Sequence, residues 1–243
     1  MNEPLLELDA VELRFGARLA ASAPRLMVQR GEWLALVGPN ASGKTTLLRC
    51  IVGRLPPARG EVRLEGGLLY PLESWRGRLP GYAVPPDELP PFLTLRQCLE
   101  IYANAHGAEQ VPAASEALCR DLGLLAHEHE LIRNLSLGTR QKLAVVLALL
   151  TEPSLLALDE VFNGLDIRSA LVLKQFLRDR VEQQGLTVLL ATHALDLVTD
   201  CCNRLVLIDA GKLVLDWNTS QLRRFTTTRA LEQALVDALR PAG

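Results

Sequence analysis

Short apolar stretches separated by turns fill the first third of the chain. Three of them read as strands: LLELDAVELRF (5–15), RLMVQRGEWLALVG (25–38) and GEVRLEGGLLY (60–70). A helical pattern, TTLLRCIVG, follows Lys44, and Gly53 supplies the left-handed residue that ends it. These patterns predict a β-rich N-terminal region interrupted by one helix.

The second half alternates helical patterns with continuous apolar strands. The helical stretches are TRQKLAVVLALL, RSALVLKQFLRDRVEQQ and ALDLVTDCC, and the strand stretches are SLLALDE, LTVLLATH, RLVLI and LVLDW. Strands that alternate with helices predict a parallel sheet covered on both faces. The expected fold class is therefore α/β, with a mostly parallel core sheet and an antiparallel β region at the N-terminus.

Two amphipathic patterns, 94–107 and 113–125, lie between these halves. The segment that leads into them, LPGYAVPPDELPPFLT, contains five prolines in sixteen residues and should be irregular. We expect one domain over residues 1–243, with a helical subdomain at about 91–150 inserted into the core.

Composition narrows the possible partners. The 26 Lys and Arg against 28 Asp and Glu give a net charge of −2, so we expect no nucleic-acid partner. Hydrophobic residues make up 49% of the chain, yet the longest uninterrupted apolar run, 143–150, is too short to span a bilayer.

The acidic start MNEPLLELDAVEL does not resemble a leader, and the five cysteines show no C-x-x-C pairing; both favour a cytoplasmic protein with reduced thiols.

The stretch GPNASGKTT joins an apolar strand to a helix. Its spacing, Gly38-x-x-x-x-Gly43-Lys44-Thr45, is that of a phosphate-binding loop, in which backbone N–H groups converge on phosphate. Lys44 then reaches the outer phosphates and the Thr45 hydroxyl can hold Mg²⁺. A capped glycine turn is the alternative, but the strand before and the helix after favour nucleotide binding. The predicted nucleotide-binding residues of this loop are Gly38, Pro39, Asn40, Ala41, Ser42, Gly43, Lys44, Thr45 and Thr46.

Two carboxylates, Asp159 and Glu160, end the apolar strand SLLALDE. Ligands of open α/β sheets bind at this edge. Asp159 can hold Mg²⁺ through water, and Glu160 can act as the general base on an attacking water. A solvated turn is the alternative for an isolated Asp-Glu pair, and the upstream loop favours catalysis.

A second helix start with affinity for anions lies in NLSLGTRQK (134–142). Ser136 has the chemistry of an N-cap, and Gly138 lets backbone N–H groups face outward. One nucleotide already has a phosphate cradle, so this second helix start is redundant unless it meets a nucleotide held by another copy. An ordinary capped helix fits these residues equally well.

Together these motifs resemble the nucleotide-binding subunit of an ATP-binding cassette (ABC) transporter over almost the whole chain. LSLGTRQ resembles the LSGGQ signature of that family, with Leu137 where the second-position glycine usually stands. The resemblance implies that two chains face head to tail around two ATP molecules. Ser136, Leu137 and Gly138 would then contact the nucleotide of the partner.

Further positions carry the same resemblance. NGLD (163–166) is similar to the D-loop of the family, although as chemistry it is a turn capped by Asp. His193, at the end of TVLLATH, resembles the switch histidine that contacts the γ-phosphate and positions the attacking water. Phe15 stands where an aromatic ring stacks on adenine in similar proteins, with core packing as its alternative.

One stretch departs from the family pattern. Pro85 stands where a glutamine is expected in a loop that approaches Mg²⁺ and contacts the membrane subunit. Proline offers no side-chain ligand. We hypothesise that Asp87 or Glu88 takes over part of this role, or that Mg²⁺ keeps an extra water.

The resemblance implies an ATPase that uses ATP and Mg²⁺ to energise a separate transmembrane permease from the inner face of the membrane. The segment LTLRQCLEIYANAHG (93–107) and the short C-terminal tail look most like cassettes paired with small export permeases. An importer subunit, a soluble cassette ATPase of translation or DNA repair, and a kinase or GTPase are the alternatives. The signature helix disfavours the kinase, and a guanine-reading N-K-x-D is absent from the sequence. The cargo, the direction of transport and the permease stay open.

Overall fold

The computed structural model describes residues 3–225 and 227–239. One sheet of ten strands runs through this part of the chain, in the spatial order β5-β4-β1-β2-β10-β9-β3-β8-β7-β6. The strands are β1 (Leu6–Phe15), β2 (Arg18–Val28), β3 (Trp33–Val37), β4 (Arg59–Leu64), β5 (Gly67–Leu68), β6 (Gly81–Tyr82), β7 (Leu155–Asp159), β8 (Thr187–Ala191), β9 (Arg204–Asp209) and β10 (Lys212–Trp217).

Strand direction divides the sheet into two regions. Strands β6, β7, β8, β3 and β9 pair in parallel, whereas β5, β4, β1 and β2 pair antiparallel. This confirms the α/β class with a mostly parallel core and an antiparallel N-terminal region. The stretch 25–38 is not one strand, because Gly31 turns the chain between β2 and β3 at φ 77°.

Helices surround this sheet, and several of them begin or end at residue types that favour such positions. They are α1 (Lys44–Ile51), α2 (Leu95–Ala105), α3 (Ala113–Asp121), α4 (Leu137–Leu149), α5 (Ile167–Gln184), α6 (Leu195–Cys201), α7 (Thr219–Leu222) and α8 (Thr228–Ala238). The side chains of Thr94, Ser136 and Asp166 accept N-cap hydrogen bonds at α2, α4 and α5. Gly53 follows α1 at φ 83°, in the left-handed region as predicted, and Gly185 ends α5 at φ 68° in the same region.

Both faces of the central sheet are covered. Along β3, Leu34 and Leu36 pack into the larger apolar core, whereas Ala35 and Val37 join a second cluster with residues of α6, α7 and α8. Successive side chains of a strand point to opposite faces, so this alternation places one core on each side. Continuous apolar strands are the sequence pattern that this burial requires.

The chain between β6 and β7 holds helices α2, α3 and α4. Most of their buried residues belong to the same apolar core as the sheet, and α4 is buried on most of its circumference. A helical subdomain at about 91–150 stays a prediction. Within the described ranges, none of the helices is long and apolar enough to cross a membrane. All five cysteines are free; Cys50, Cys98 and Cys119 are buried.

Candidate functional site

The loop between β3 and α1 needs its two glycines because backbone crowds both positions. A Cβ at Gly38 would lie 2.0 Å from the Ile208 carbonyl oxygen, and a Cβ at Gly43 would lie 2.6 Å from the Ala20 carbonyl oxygen. Gly43 also has φ 109°, which L side chains rarely adopt. The glycine spacing read from the sequence is thus a steric requirement of the fold.

Lys44 is folded back over this loop. Its Nζ donates hydrogen bonds to the carbonyl oxygens of Gly38 at 2.8 Å and Pro39 at 2.9 Å. Burial lowers the pKa of Lys44, and the carboxylates of Glu160 and Asp159 oppose that shift. The negative charge of a bound phosphate would favour the ammonium form of Lys44, as these carboxylates do.

Asp159 ends β7 next to α1. Burial raises the pKa of its carboxyl, and contact with the Thr45 hydroxyl opposes the rise. A carboxylate and a hydroxyl side by side form an all-oxygen donor set that suits Mg²⁺, which binds through few protein ligands and keeps several waters. The residues present thus fit the metal that the sequence predicts.

Glu160 is held in place from two sides. Its Oε1 lies 2.9 Å from Nδ1 of His193, and its Oε2 accepts a hydrogen bond from Nδ2 of Asn163 at 3.0 Å. The backbone of Glu160 has φ 51°, a left-handed conformation uncommon for residues other than glycine and associated with functional sites. Asn163 was not predicted as a partner of Glu160, and its position three residues beyond the carboxylate was the available signal.

Phe15 is exposed over 58% of its surface and does not pack in the core. It lines a cavity of about 230 Å³ together with Arg18, Ala20 and residues 41–46 of the loop. Core packing, the alternative for Phe15, does not match this exposure. Arg18 was missed, and no sequence motif marked it.

The predicted signature lies at the start of α4. The Ser136 hydroxyl accepts a hydrogen bond from the Thr139 N–H at 3.1 Å, so Ser136 caps the helix, and Leu137 is 58% exposed. A Cβ at Gly138 would lie 2.8 Å from the Gly164 carbonyl oxygen, so the signature and the NGLD turn are in contact. The described residues that line the cavity at the phosphate loop do not include these signature residues.

The proline-rich loop places its two acidic residues differently. Both are exposed, and the Glu88 carboxylate pairs with Arg54 at 2.7 Å and Arg49 at 3.4 Å. Pro85 accepts a backbone hydrogen bond from the Glu88 N–H at 2.9 Å. Glu88 therefore faces two guanidinium groups.

The phosphate loop, Asp159, Glu160 and His193 meet at the carboxyl edge of one sheet, the ligand-binding edge of open α/β folds. This arrangement defines a nucleoside triphosphatase with a phosphate-binding loop. The family model described as ABC transporter matches residues 22–163, and the chain belongs to this family. A shorter match, to a model described as an AAA domain, covers residues 129–199.

Curated relatives agree with this family. The chain is 35% identical over 214 residues to the uncharacterized ABC transporter ATP-binding protein YdbJ of Bacillus subtilis, covering 88% of this chain and 69% of that protein. It is 30% identical over 244 residues to the daunorubicin resistance ATP-binding protein DrrA3 of Streptomyces coeruleorubidus, covering 98% and 76%. The chain thus spans about seven tenths of the length of such relatives.

A solved structure described as the ATP-binding subunit of an ABC transporter superposes with a TM-score of 0.83. It is 29% identical, and the match covers 97% of this chain and all of that one. The dimeric bacterial cassette MJ0796, at 22% identity and TM-score 0.78, shares the fold over 88% of this chain and 98% of that one. The protein is an ATP-binding subunit of an ABC transporter and an ATPase.

Proposed function

We propose that two copies of this chain sandwich two ATP molecules, and that ATP hydrolysis drives export through a separate permease. Phe15 contacts adenine, residues 38–46 and Lys44 hold the phosphates, and Thr45 with Asp159 holds Mg²⁺. Mg²⁺, when bound, would neutralise phosphate charge. Glu160 takes a proton from the attacking water and His193 positions that water. Ser136, Leu137 and Gly138 contact the nucleotide of the partner copy.

The observation that carries the catalytic part is the fixed Glu160 carboxylate. Contacts with His193 and Asn163 on opposite oxygens orient it. A general base must be oriented before it can accept a proton. Ser136 and Leu137 are exposed, which supports the two-copy part, because residues that contact the nucleotide of a partner copy must be accessible at the surface.

Mixing two inactive variants tests the shared site. Lys44→Ala removes a phosphate contact in its own chain, and Ser136→Arg blocks the nucleotide of the partner. In a 1:1 mixture, roughly half of random dimers are mixed and each holds one intact site of two, which predicts roughly a quarter of wild-type ATPase activity. Activity of the mixture no higher than the mean of the two separate variants would contradict the shared site.

A groove of about 690 Å³ at the junction of the helical region and the sheet is the surface we propose for the permease. It is lined by residues including Val52, Arg54, Leu79, Tyr82, Tyr102 and His106. Leu79 is 47% exposed there, so an apolar segment of a partner could cover it. Docking of a permease at this groove would hold the chain at the inner, cytoplasmic face of a membrane.

Export is our proposal for the direction, because the segment 93–107 resembles export cassettes. Relatives named for peptide export and for methionine import both match the chain. In proteoliposomes with the co-purified membrane protein and the cassettes outside, an exporter accumulates cargo inside when ATP is added. Loss of preloaded cargo under these conditions would indicate import, and ATPase activity without a membrane partner would favour a soluble cassette.

A further inference from the structure

Glu88 lies where the chain departs from the family pattern, three residues after Pro85. Its Oε2 accepts a hydrogen bond from Nη1 of Arg54 at 2.7 Å, and its Oε1 accepts one from Nη2 of Arg49 at 3.4 Å. Arg49 belongs to α1, and Arg54 follows the end of that helix. We call Glu88, Arg49 and Arg54 the arginine clamp; it fastens the proline-rich loop to the helix that follows the phosphate loop.

Arg49 lies close to the metal end of the site. It follows Thr45 by four residues, so both side chains lie on the same face of α1. The Thr45 hydroxyl contacts the Asp159 carboxyl, so Arg49 lies one turn of α1 beyond the two groups that would hold Mg²⁺. The long side chain of Arg49 is therefore within reach of that carboxylate.

The guanidinium of Arg49 has a second neighbour in Tyr82, at the end of β6 beside β7. Burial raises the pKa of the Tyr82 hydroxyl, and Arg49 opposes this. A neutral hydroxyl cannot balance the charge of Arg49. Within the described residues, the buried Nε–H of Arg49 has no hydrogen-bond acceptor, and its ion-pair partner is Glu88.

We propose that Glu88 is a positioning residue that holds the Arg49 guanidinium away from Asp159, so that Asp159 stays available to Mg²⁺. This rests on the proposed metal-binding role of Asp159 and Thr45. All three side chains of the arginine clamp are about 40% exposed, and exposed ion pairs are individually weak. The clamp therefore sets a position and adds little to stability. Arg54 also lines the groove proposed for the permease, so a docked partner can act on the clamp.

Nucleotide binding by Glu160→Gln protein measures this without hydrolysis. Isothermal titration gives the ATP affinity in excess Mg²⁺ and in EDTA, and the ratio of the two is the contribution of the metal. In this background Glu88→Gln frees Arg49 to approach Asp159 and compete with Mg²⁺ for it. We expect this competition to lower the ratio of the two affinities about three- to tenfold. The ATP affinity in EDTA should not change.

Asp87→Asn is the matched control, because it removes one negative charge at the position next to Glu88. The Asp87 side chain is exposed and faces no arginine of the clamp. It should leave the ratio unchanged. Arg49→Met together with Glu88→Gln removes the competing cation and should restore the ratio. Thermal unfolding of each variant checks that it is folded.

Two results would overturn the proposal. One is an equal fall of the affinity ratio in Glu88→Gln and Asp87→Asn, which would mean that any loss of negative charge has this effect. The other is a ratio in the Arg49→Met, Glu88→Gln double variant that is as low as in Glu88→Gln alone. The proposed metal site has its own test. If Asp159→Asn leaves the ratio unchanged, that site is wrong. If Asp159→Asn abolishes the ratio and Glu88→Gln has no effect, only the clamp is wrong.

Discussion

Replacing Glu160 by Gln separates catalysis from folding. Glutamine has the same size but keeps one of the two acceptor oxygens that face His193 and Asn163. One of two hydrogen bonds is then lost or reversed, which costs about 1 kcal/mol of unfolding free energy, and less where solvent replaces it. We therefore expect a folded variant with a melting temperature within a few degrees of wild type.

The effect on turnover should be larger. Loss of a positioned general base lowers rates by on the order of 10² to 10⁴. This range corresponds to about 3 to 5 kcal/mol in the activation barrier, several times the folding cost. Glu160 is not one of the phosphate-loop residues proposed to bind ATP, so ATP binding should persist in the variant. The bound, unhydrolysed ATP should then hold the two copies together.

The assays are phosphate release, isothermal titration with ATP, and light scattering after size-exclusion chromatography with and without ATP. Asn163→Ala is the matched control, because it removes one hydrogen bond to the same carboxylate and keeps the base; its turnover should fall much less. A Glu160→Gln variant that keeps more than about a tenth of wild-type turnover would refute the general-base role. A variant that stays monomeric with ATP would refute the dimer.

Two further predictions concern the adenine contact and the buried carboxylate. Phe15→Ala should weaken ATP binding on the order of tenfold, the effect of removing one stacking ring, without lowering thermal stability, because the ring is exposed; unchanged affinity by titration would assign Phe15 no nucleotide contact. Burial raises the pKa of Asp159 in the folded protein, so ionised Asp159 lowers the free energy of unfolding at pH values above that raised pKa. This destabilisation disappears as the pH falls below the pKa that Asp159 has in the unfolded chain. In EDTA, Asp159→Asn should therefore melt higher than wild type at about pH 8, with a gap that narrows toward about pH 4; a gap that is constant or reversed would contradict this.

Much of the fold was predictable because local rules and global burial agree. Continuous apolar strands such as 187–191 signal burial on both faces, and Gly53, Gly185, Ser136 and Asp166 mark helix ends by their own conformational or hydrogen-bonding preferences. The pattern predicts one strand over 25–38 because both halves of this stretch are apolar. The structure divides it into the end of β2 and the whole of β3, with a turn at Gly31 between them.

The sequence by itself determined the phosphate loop, the paired carboxylates and the capped start of α4, because each is a short pattern whose chemistry depends on adjacent residues. Tertiary structure alone decided that His193 contacts the Glu160 carboxylate and that Glu88 faces two arginines. These contacts join residues whose separation along the chain carries no signal. The physical reason is that a parallel sheet collects the ends of distant strands at one edge, where charge and burial then act between side chains that local patterns cannot pair.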